Sequence, residues 1–248
     1  MFEERIKSKN LGNERSIWLR KPESGAEANN LVVFLDAERY LDRMDALPMI
    51  DELRGQIANS WFVFVSEESP EARWRECPCY PPFSKFIGEE LLPWLAEKFA
   101  VPERRVLAGL SYTGLAAAFV AKEYPGVFQK VISQSGSFWW NSCWLVEEFR
   151  KLQEKLPVEF FLDVGTREIH ENVQHREDVL QVMSQIEGVR RFRDALHALG
   201  HSVRYEEFDG DHDYTGFRQT LPSALKWAIP GQLIHEGEGS GRKSASMS

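Results

Sequence analysis

Short runs of apolar and β-branched residues alternate along this chain with segments whose apolar residues recur at helical spacing. Such runs are typical of strands buried on both faces, which occur in parallel sheets covered by helices. We therefore predict an α/β fold with a mostly parallel central sheet and helices on both of its faces. The predicted strands cover residues 30–36, 60–67, 104–110, 129–137, 158–166 and 202–210.

The segments between these strands predict the helices and the place to look for a site. The predicted helices cover residues 83–100, 112–124, 188–200 and 214–229. Pro93 lies inside the first of them, where we expect a kink or a fresh turn. Ligands of open parallel sheets bind in loops beyond the carboxyl ends of the strands. Those loops follow Asp36, Glu67, Leu110, Gln134, Thr166 and Asp209.

The composition is that of a globular protein, since 43% of the 248 residues are hydrophobic and 27% are charged. We predict a single domain over residues 1–232 and a disordered tail, rich in Ser and Gly, over residues 233–248. The net charge is −8. An acidic chain is a poor match for nucleic acid or for an anionic membrane, so we expect neither as a partner.

Three cysteines, Cys77, Cys79 and Cys143, suggest neither a disulfide framework nor a metal site. An odd, small number suits a reducing compartment. A single residue separates Cys77 from Cys79, and no second cysteine pair completes a zinc site. The N-terminus lacks the apolar stretch of a signal peptide, and no apolar run approaches the roughly 20 residues that span a bilayer. We expect a cytoplasmic protein without a metal or an organic cofactor.

Residues 104–125 place one serine at the junction of a predicted strand and a predicted helix. The sequence GLSYTG at residues 109–114 is close to the G-x-S-x-G nucleophile elbow, with a threonine at 113 in place of the last glycine. Small residues flank such a serine because the turn is strained and the helix passes close to the strand. A serine before a helix is also a common N-cap, and for Ser111 this alternative stays open.

Two further loops carry the groups that a serine nucleophile needs. A serine is a weak nucleophile at neutral pH and requires a general base, which a carboxylate orients. In hydrolases with this elbow the chain order is serine, acid, histidine. His212 follows the last predicted strand and is the candidate base. Glu168 lies beyond the strand at 158–166 and is the preferred acid, whereas Asp163, inside that strand, is the fallback.

Backbone N–H groups are the candidates for an oxyanion hole. The N–H of Tyr112 belongs to the N-terminus of the helix that follows Ser111, where it favours negative charge. The second donor is expected from the loop after the first predicted strand, at Ala37 or Glu38.

Several motifs resemble those of the "putative esterase" branch of the α/β-hydrolases, and within it the enterochelin esterases, which open iron-siderophore triesters. The resemblance covers residues 31–227. The motifs are VVFLDAERY at 32–40, RWRECPCYPPFSKFIGEELLP at 73–93, VISQSGSFWW at 131–140, DVGTRE at 163–168 and DGDHDYTGF at 209–217.

The resemblance implies a serine esterase with Ser111 as nucleophile, His212 as base and acid, and Glu168 as the acid member. It implies a small-molecule ester as substrate, with a ferric catecholate siderophore as one candidate. The same branch also contains acetyl and feruloyl esterases that act on carbohydrate esters, and thioesterases of small acyl groups. A non-catalytic binding protein with the same fold is a further alternative.

The same resemblance makes Arg73 and either Trp139 or Trp140 candidates for substrate contact. An arginine attracts anionic catecholates, and an indole can stack on a catechol ring. The alternatives are an ion pair between Arg73 and Glu76 and ordinary core packing of the tryptophans.

The sequence departs from the family pattern at four positions. Thr113 and Ala37 replace glycines, Tyr80 replaces an asparagine, and Asp211 replaces the glycine before the histidine. These departures bear on the packing of the elbow and on the choice of substrate.

Overall fold

Alternating strands and helices make up the described part of the chain, residues 1–23 and 27–231 of a computed structural model. The strands are β1 (Phe2–Ser8), β2 (Asn13–Arg20), β3 (Asn30–Leu35), β4 (Ser60–Val65), β5 (Arg105–Leu110), β6 (Lys130–Gln134), β7 (Glu159–Gly165), β8 (Val173–Arg176), β9 (Val179–Gln181) and β10 (Val203–Phe208). The helices are α1 (Ala46–Glu52), α2 (Pro70–Glu76), α3 (Pro81–Lys85), α4 (Leu92–Phe99), α5 (Tyr112–Glu123), α6 (Trp140–Arg150), α7 (Gln185–Ala198) and α8 (Tyr214–Ala228). Single π-helical turns cover Arg39–Arg43 and Phe86–Leu91. The tail predicted at 233–248 lies outside the described residues.

One eight-stranded sheet forms the centre of the fold, in the order β1-β2-β4-β3-β5-β6-β7-β10. The six strands from β4 to β10 in this order are all parallel to one another. The pairs β1–β2 and β2–β4 are antiparallel. The mostly parallel sheet predicted from the sequence is therefore confirmed. The loops after β3, β5, β7 and β10 all leave the same edge of the sheet.

The sheet carries a buried core on each face because side chains alternate along a strand. In β3, Leu31, Val33 and Leu35 pack into the larger core, beneath α4, α5, α6 and α7. Val32 and Phe34 point the other way, into a core shared with α1 and α8. Burial on both faces explains why these strands read as continuous apolar runs.

All six predicted strands are present, whereas sequence analysis missed three helices, α1, α2 and α6. The helix predicted at 83–100 is present as one continuous helical segment made of α3, a π-helical turn and α4, and Pro93 is the second residue of α4. Sequence analysis missed β1 and β2, whose polar residues alternate with buried ones at the edge of the sheet. It also missed the small β8–β9 hairpin.

Among the described residues, no helix combines the length and the apolar character needed to cross a bilayer.

Candidate active site

Ser111 occupies the sharp turn between β5 and α5. Its backbone φ and ψ are 55° and −120°, a combination that is sparsely populated for a residue with a side chain. The side chain makes no capping hydrogen bond to the first turn of α5. Ser111 therefore has the strained geometry of a nucleophile elbow and does not act as an N-cap.

Glycines on both sides of the elbow allow α5 to pass close to the sheet. A Cβ atom on Gly109 would lie 2.2 Å from the backbone oxygen of Thr113. A Cβ atom on Gly114 would lie 2.7 Å from Oγ of Ser133 in β6. Both distances are far below van der Waals contact, so a larger residue at 109 or 114 would force Thr113 or Ser133 to shift.

Hydrogen bonds connect Ser111, His212 and Glu168 in series. Oγ of Ser111 lies 2.9 Å from Nε2 of His212, and Nδ1 of His212 lies 2.6 Å from Oε2 of Glu168. The His212 side chain is 40% exposed, whereas that of Glu168 is 1% exposed. In this arrangement the histidine can take the serine proton, and the buried carboxylate can stabilise the imidazolium that forms.

The second carboxylate oxygen of Glu168 is held by two further donors. Oε1 accepts hydrogen bonds from Oγ of Ser135 at 2.6 Å and from the backbone N–H of Gly165 at 2.7 Å. Ser135 follows β6 with a left-handed φ of 42°. These contacts fix the carboxylate in the orientation that faces His212.

Asp163, the fallback acid, does not contact His212. It is fully buried in β7, and its Oδ1 accepts a hydrogen bond from the backbone N–H of Ser135 at 2.9 Å. Burial raises the pKa of Asp163 from 3.8 to about 7. The structure thus brings Glu168 to His212 and places Asp163 beneath Ser135, which holds Glu168.

The raised pKa of Asp163 predicts how stability changes with pH. Below pH 3.8 the carboxyl is protonated in the folded and the unfolded chain alike; between pH 3.8 and about 7 only the unfolded chain releases the proton. This group therefore lowers stability as pH rises through that window. Asp163→Asn cannot titrate and keeps an oxygen for Ser135.

The measurement for Asp163 is urea unfolding of both proteins at several pH values from 4 to 7. The stability of Asp163→Asn relative to the parent protein should rise steadily with pH. Parallel curves for the two proteins would show that folding does not raise the pKa of Asp163.

Thr113, which replaces a glycine of the family pattern, ties the elbow to the loop after β3. Its Oγ1 accepts a hydrogen bond from the backbone N–H of Leu110 at 2.9 Å. The same hydroxyl lies 2.8 Å from the backbone oxygen of Leu110 and 3.0 Å from Oδ2 of Asp36. The departure therefore adds a buried polar link between the turn at Ser111 and the loop after β3.

We expect Thr113→Val to destabilise the fold by about 1–3 kcal/mol, because it leaves the N–H of Leu110 and an oxygen of Asp36 without the hydroxyl. Thr113→Ser retains the hydroxyl and is the matched control, with a much smaller loss. The measurement is the free energy of unfolding in urea. Equal stability of the Val and Ser variants would contradict a role for the hydroxyl.

The predicted oxyanion donors stand on adjacent strand ends. β3 and β5 are neighbours in the sheet; Ala37 and Glu38 follow β3, and Tyr112 is the first residue of α5 after β5. Asp36, which precedes Ala37, has a left-handed φ of 73° that turns the loop sharply. The Glu38 side chain accepts a hydrogen bond from the N–H of Glu67 at 3.0 Å, and burial raises its pKa to about 6.

Arg73 lies in the cavity wall and pairs with the loop after β3. Its Nε and Nη2 both lie 2.8 Å from Oδ2 of Asp36, and its Nε lies 3.5 Å from Glu67. The alternative partner, Glu76, pairs instead with Arg15 in a buried ion pair. Arg73 is therefore a buried guanidinium that supports the loop after β3 while facing the cavity.

A cavity of about 420 Å³ opens in front of Ser111 and His212. Trp139 lines it, whereas Trp140 is half-buried at the start of α6 and is not part of the lining. Sequence analysis missed several lining residues: Arg39, Trp74, Ser137, Arg167, His170, His175, Gln181 and Tyr214. Trp74 follows Arg73 in the motif at residues 73–93, so its place in the cavity could have been suspected. No sequence pattern indicates that the residues of the β8–β9 hairpin would line the cavity.

Within the described residues, no group of three or more His, Cys, Asp or Glu side chains is arranged to hold a metal ion. Cys77, Cys79 and Cys143 are all buried free thiols.

Comparison with known proteins identifies relatives over most of the chain. The family model described as "Putative esterase" matches residues 8–228. Iron(III) enterobactin esterase of Dickeya dadantii is 28% identical over 91% of this chain, and that of Escherichia coli K12 is 30% identical over 88%. Each match covers 54% of the relative, so the chain spans about half the length of these curated proteins.

Solved structures agree with the sequence matches. Enterochelin esterase from Shigella flexneri superposes with a TM-score of 0.79 at 26% identity, over 92% of this chain and 57% of that one. An IroE-like serine hydrolase from Shewanella oneidensis superposes with a TM-score of 0.71 at 20% identity, over 91% and 80% of the two chains, which shows the shared fold. These matches confirm the α/β-hydrolase fold and the resemblance to enterochelin esterases.

Proposed function

This chain belongs to the "putative esterase" family, and we propose that it is a serine hydrolase that cleaves carboxylic esters through an acyl-enzyme on Ser111. The observation that carries the proposal is the series of hydrogen bonds from Ser111 through His212 to the buried Glu168. A chain that only binds a ligand has no need for a strained serine aligned with a histidine and a carboxylate.

In the first half of the reaction, Nε2 of His212 takes the proton of Ser111 as Oγ attacks the ester carbonyl carbon. The carbonyl oxygen becomes an oxyanion. The N–H groups of Tyr112 and of the Ala37–Glu38 loop are the donors proposed to stabilise it. The C–O bond to the leaving group then breaks, and His212 gives its proton to the departing alcohol.

In the second half, water cleaves the acyl-enzyme by the same route. His212 takes a proton from water, the hydroxide attacks the acyl carbon, and Ser111 recovers its proton as the acid is released. Glu168 keeps the imidazole oriented and stabilises its positive charge in both halves. The reaction uses only protein groups and water.

An iron-siderophore ester is the proposed substrate class. The relatives at 28–30% identity are named iron(III) enterobactin esterases, and one solved neighbour was determined in the presence of enterobactin. Three guanidinium groups, from Arg39, Arg73 and Arg167, line the cavity, and each of them is paired with a carboxylate. We place this activity in the cytoplasm, in keeping with the free cysteines.

A substrate panel distinguishes this proposal from the other activities of the family. Ferric enterobactin, a feruloyl sugar ester, an acetylated sugar and a short acyl thioester should be compared by kcat/KM. The proposal expects ferric enterobactin to be the best of the four. A higher kcat/KM for a sugar ester or the thioester would assign the chain to one of those alternatives.

Labelling with a fluorophosphonate tests the chemistry without knowledge of the substrate. The reagent should form one covalent adduct, located at Ser111 by peptide mass spectrometry, because an activated serine attacks phosphorus as it attacks an ester. Ser111→Ala should remain unlabelled under the same conditions. A parent protein that stays unlabelled would favour the non-catalytic alternative.

A further inference from the structure

The two proposed oxyanion donors lie on separate segments of the chain, the loop after β3 and the first turn of α5. Ala37, one of the two residues proposed to supply the donor on the loop, directly follows Asp36, and Tyr112 directly precedes Thr113. Oγ1 of Thr113 lies 3.0 Å from Oδ2 of Asp36, so one buried hydrogen bond joins the immediate neighbours of the two donors. The separation of the donors therefore depends on this contact.

Asp36 is held by its backbone as well as by its side chain. Its φ of 73° is left-handed, a region that residues other than glycine enter at a cost. Its carbonyl oxygen accepts hydrogen bonds from the N–H groups of Arg39 at 3.0 Å and Tyr40 at 3.2 Å. A strained residue of this kind persists only where the surrounding contacts fix it. The direction of the chain at Ala37 is thus set by the contacts of Asp36.

Arg73 forms a second link between the same two segments. Its guanidinium pairs with the Asp36 carboxylate, and the two side chains are only 7% and 1% exposed. Nη2 of Arg73 also donates to the backbone oxygen of Leu110, the residue before the nucleophile, at 3.5 Å. The guanidinium lies 5.8 Å from the ring centroid of Tyr112. The Asp36 carboxylate therefore reaches the turn at residue 111 from two directions, through Thr113 and through Arg73.

The link through Thr113 is a property of this chain, because the family pattern has a glycine at this position. Thr113 is 1% exposed, and its hydroxyl oxygen accepts the N–H of Leu110. Its single proton can go to the Asp36 carboxylate or to the carbonyl oxygen of Leu110, and the charged acceptor makes the stronger bond. A glycine could make none of these contacts.

We propose that Thr113 and Asp36 are positioning residues, which set the separation of the two oxyanion donors through their buried hydrogen bond. The proposal rests on the proposed function, since it requires an oxyanion formed when Ser111 attacks a carbonyl. Neither side chain belongs to the cavity lining, so both act through the backbone of their neighbours. Oxyanion donors work only at hydrogen-bond distance from the developing charge, and a misplacement of about 1 Å can cost about 100-fold in rate.

Kinetics of Thr113→Val and Thr113→Ser with p-nitrophenyl acetate test the positioning role. Valine removes the hydroxyl at nearly constant shape, whereas serine keeps it. Thr113→Val should lower kcat by about 10- to 100-fold with KM within about twofold, because the donors act on the transition state and not on the bound ester. Thr113→Ser should stay within about threefold of the parent kcat, since its hydroxyl can make the same bond. Both variants are assayed under conditions in which urea unfolding shows them fully folded.

Inhibition by trifluoroacetone separates positioning from a general loss of structure. Oγ of Ser111 bonds to the carbonyl carbon of this ketone, the serine proton passes to His212, and the π electrons of the C=O bond become an oxyanion. The inhibition constant should rise in Thr113→Val by about the factor by which kcat falls. The pH midpoint of kcat/KM should not move, because the hydrogen bonds of His212 go to Ser111 and Glu168. An unchanged inhibition constant, or a shifted midpoint, would overturn the proposal.

Asp36→Asn tests the same hydrogen bond from its other end. Asparagine tolerates the left-handed φ, but its one amide oxygen is uncharged and has to serve both Thr113 and Arg73. If Asp36 and Thr113 act through one bond, kcat of the double variant, Asp36→Asn with Thr113→Val, should fall by much less than the product of the two single losses. Losses that multiply would overturn the proposal, as would equal kcat values for Thr113→Val and Thr113→Ser. The Thr113 pair carries the test even if Asp36→Asn does not fold.

Failure of the positioning role is distinguishable from failure of the proposed function. Fluorophosphonate labelling of the parent protein reports on Ser111 alone. A parent protein that neither labels nor turns over esters would refute the proposed function and the positioning role together. Labelling at Ser111 together with the parent kcat in Thr113→Val would refute the positioning role and leave the serine hydrolase standing.

Discussion

Ser111→Ala is expected to reduce ester hydrolysis by about 10⁴-fold or more, because the variant has no nucleophile to form the acyl-enzyme. Any residual rate would come from binding and from the oxyanion donors alone. The side chain makes no capping bond, so the variant should fold like the parent protein. The measurement is kcat/KM for p-nitrophenyl acetate, with circular dichroism and thermal unfolding as checks on folding.

Ser137→Ala is the matched control for this experiment. Its Oγ lies 3.4 Å from Oγ of Ser111 in the same cavity, but His212 contacts Ser111. We expect Ser137→Ala to retain at least about a tenth of the activity, the loss of one modest hydrogen bond. Turnover near the parent level in Ser111→Ala, or an equal loss in both variants, would remove Ser111 from its proposed role.

Glu168→Gln is expected to lower kcat by about 10³- to 10⁴-fold, with a small change in KM. The amide cannot stabilise the imidazolium of His212 by charge. It can also present an N–H to Nδ1, which favours the wrong tautomer. The surrounding donors, Ser135 and the N–H of Gly165, would still hold the side chain in place through its oxygen. Kinetics with the same ester give kcat and KM separately.

Asp163→Asn is the control that distinguishes the two acids. Asp163 contacts Ser135 and stands behind Glu168, so its replacement should leave kcat within about tenfold of the parent value while changing stability with pH. A large loss of kcat in Asp163→Asn together with a small loss in Glu168→Gln would reverse the assignment. Losses of similar size in both would indicate that the two carboxylates act as one unit.

Much of the fold could be predicted from local patterns. Strands buried on both faces read as apolar runs, so the six parallel strands and the edge that carries the site followed from the sequence alone. Sequence analysis missed β1 and β2 because polar residues alternate with buried ones in both strands, so neither forms a continuous apolar run. The helix predicted at 83–100 is present, and it contains a π-helical turn over Phe86–Leu91, just before Pro93, whose nitrogen cannot donate a backbone hydrogen bond.

Some residues of the candidate site could likewise be predicted from local patterns, and others could not. Ser111 and His212 could be singled out because each follows a strand in an order that a triad requires. The choice between Glu168 and Asp163 rested on which one lay beyond the strand, and only the folded loop brings Glu168 to within 2.6 Å of His212. In the sequence, Thr113 is only a departure from the G-x-S-x-G pattern. In the structure, its hydroxyl contacts Asp36, 77 residues away.

Features with a local signal could be read from the amino-acid sequence: the strand and helix periods, the glycines on either side of Ser111 and the residue types in the loops after the strands. The tertiary structure decided every feature that depends on distant residues. Arg73 pairs with Asp36 and not with its near neighbour Glu76, and His175 reaches Trp139 from the β8–β9 hairpin. The physical reason is that strand and helix periods act over a few residues, whereas these partners are selected by packing between loops far apart in the chain.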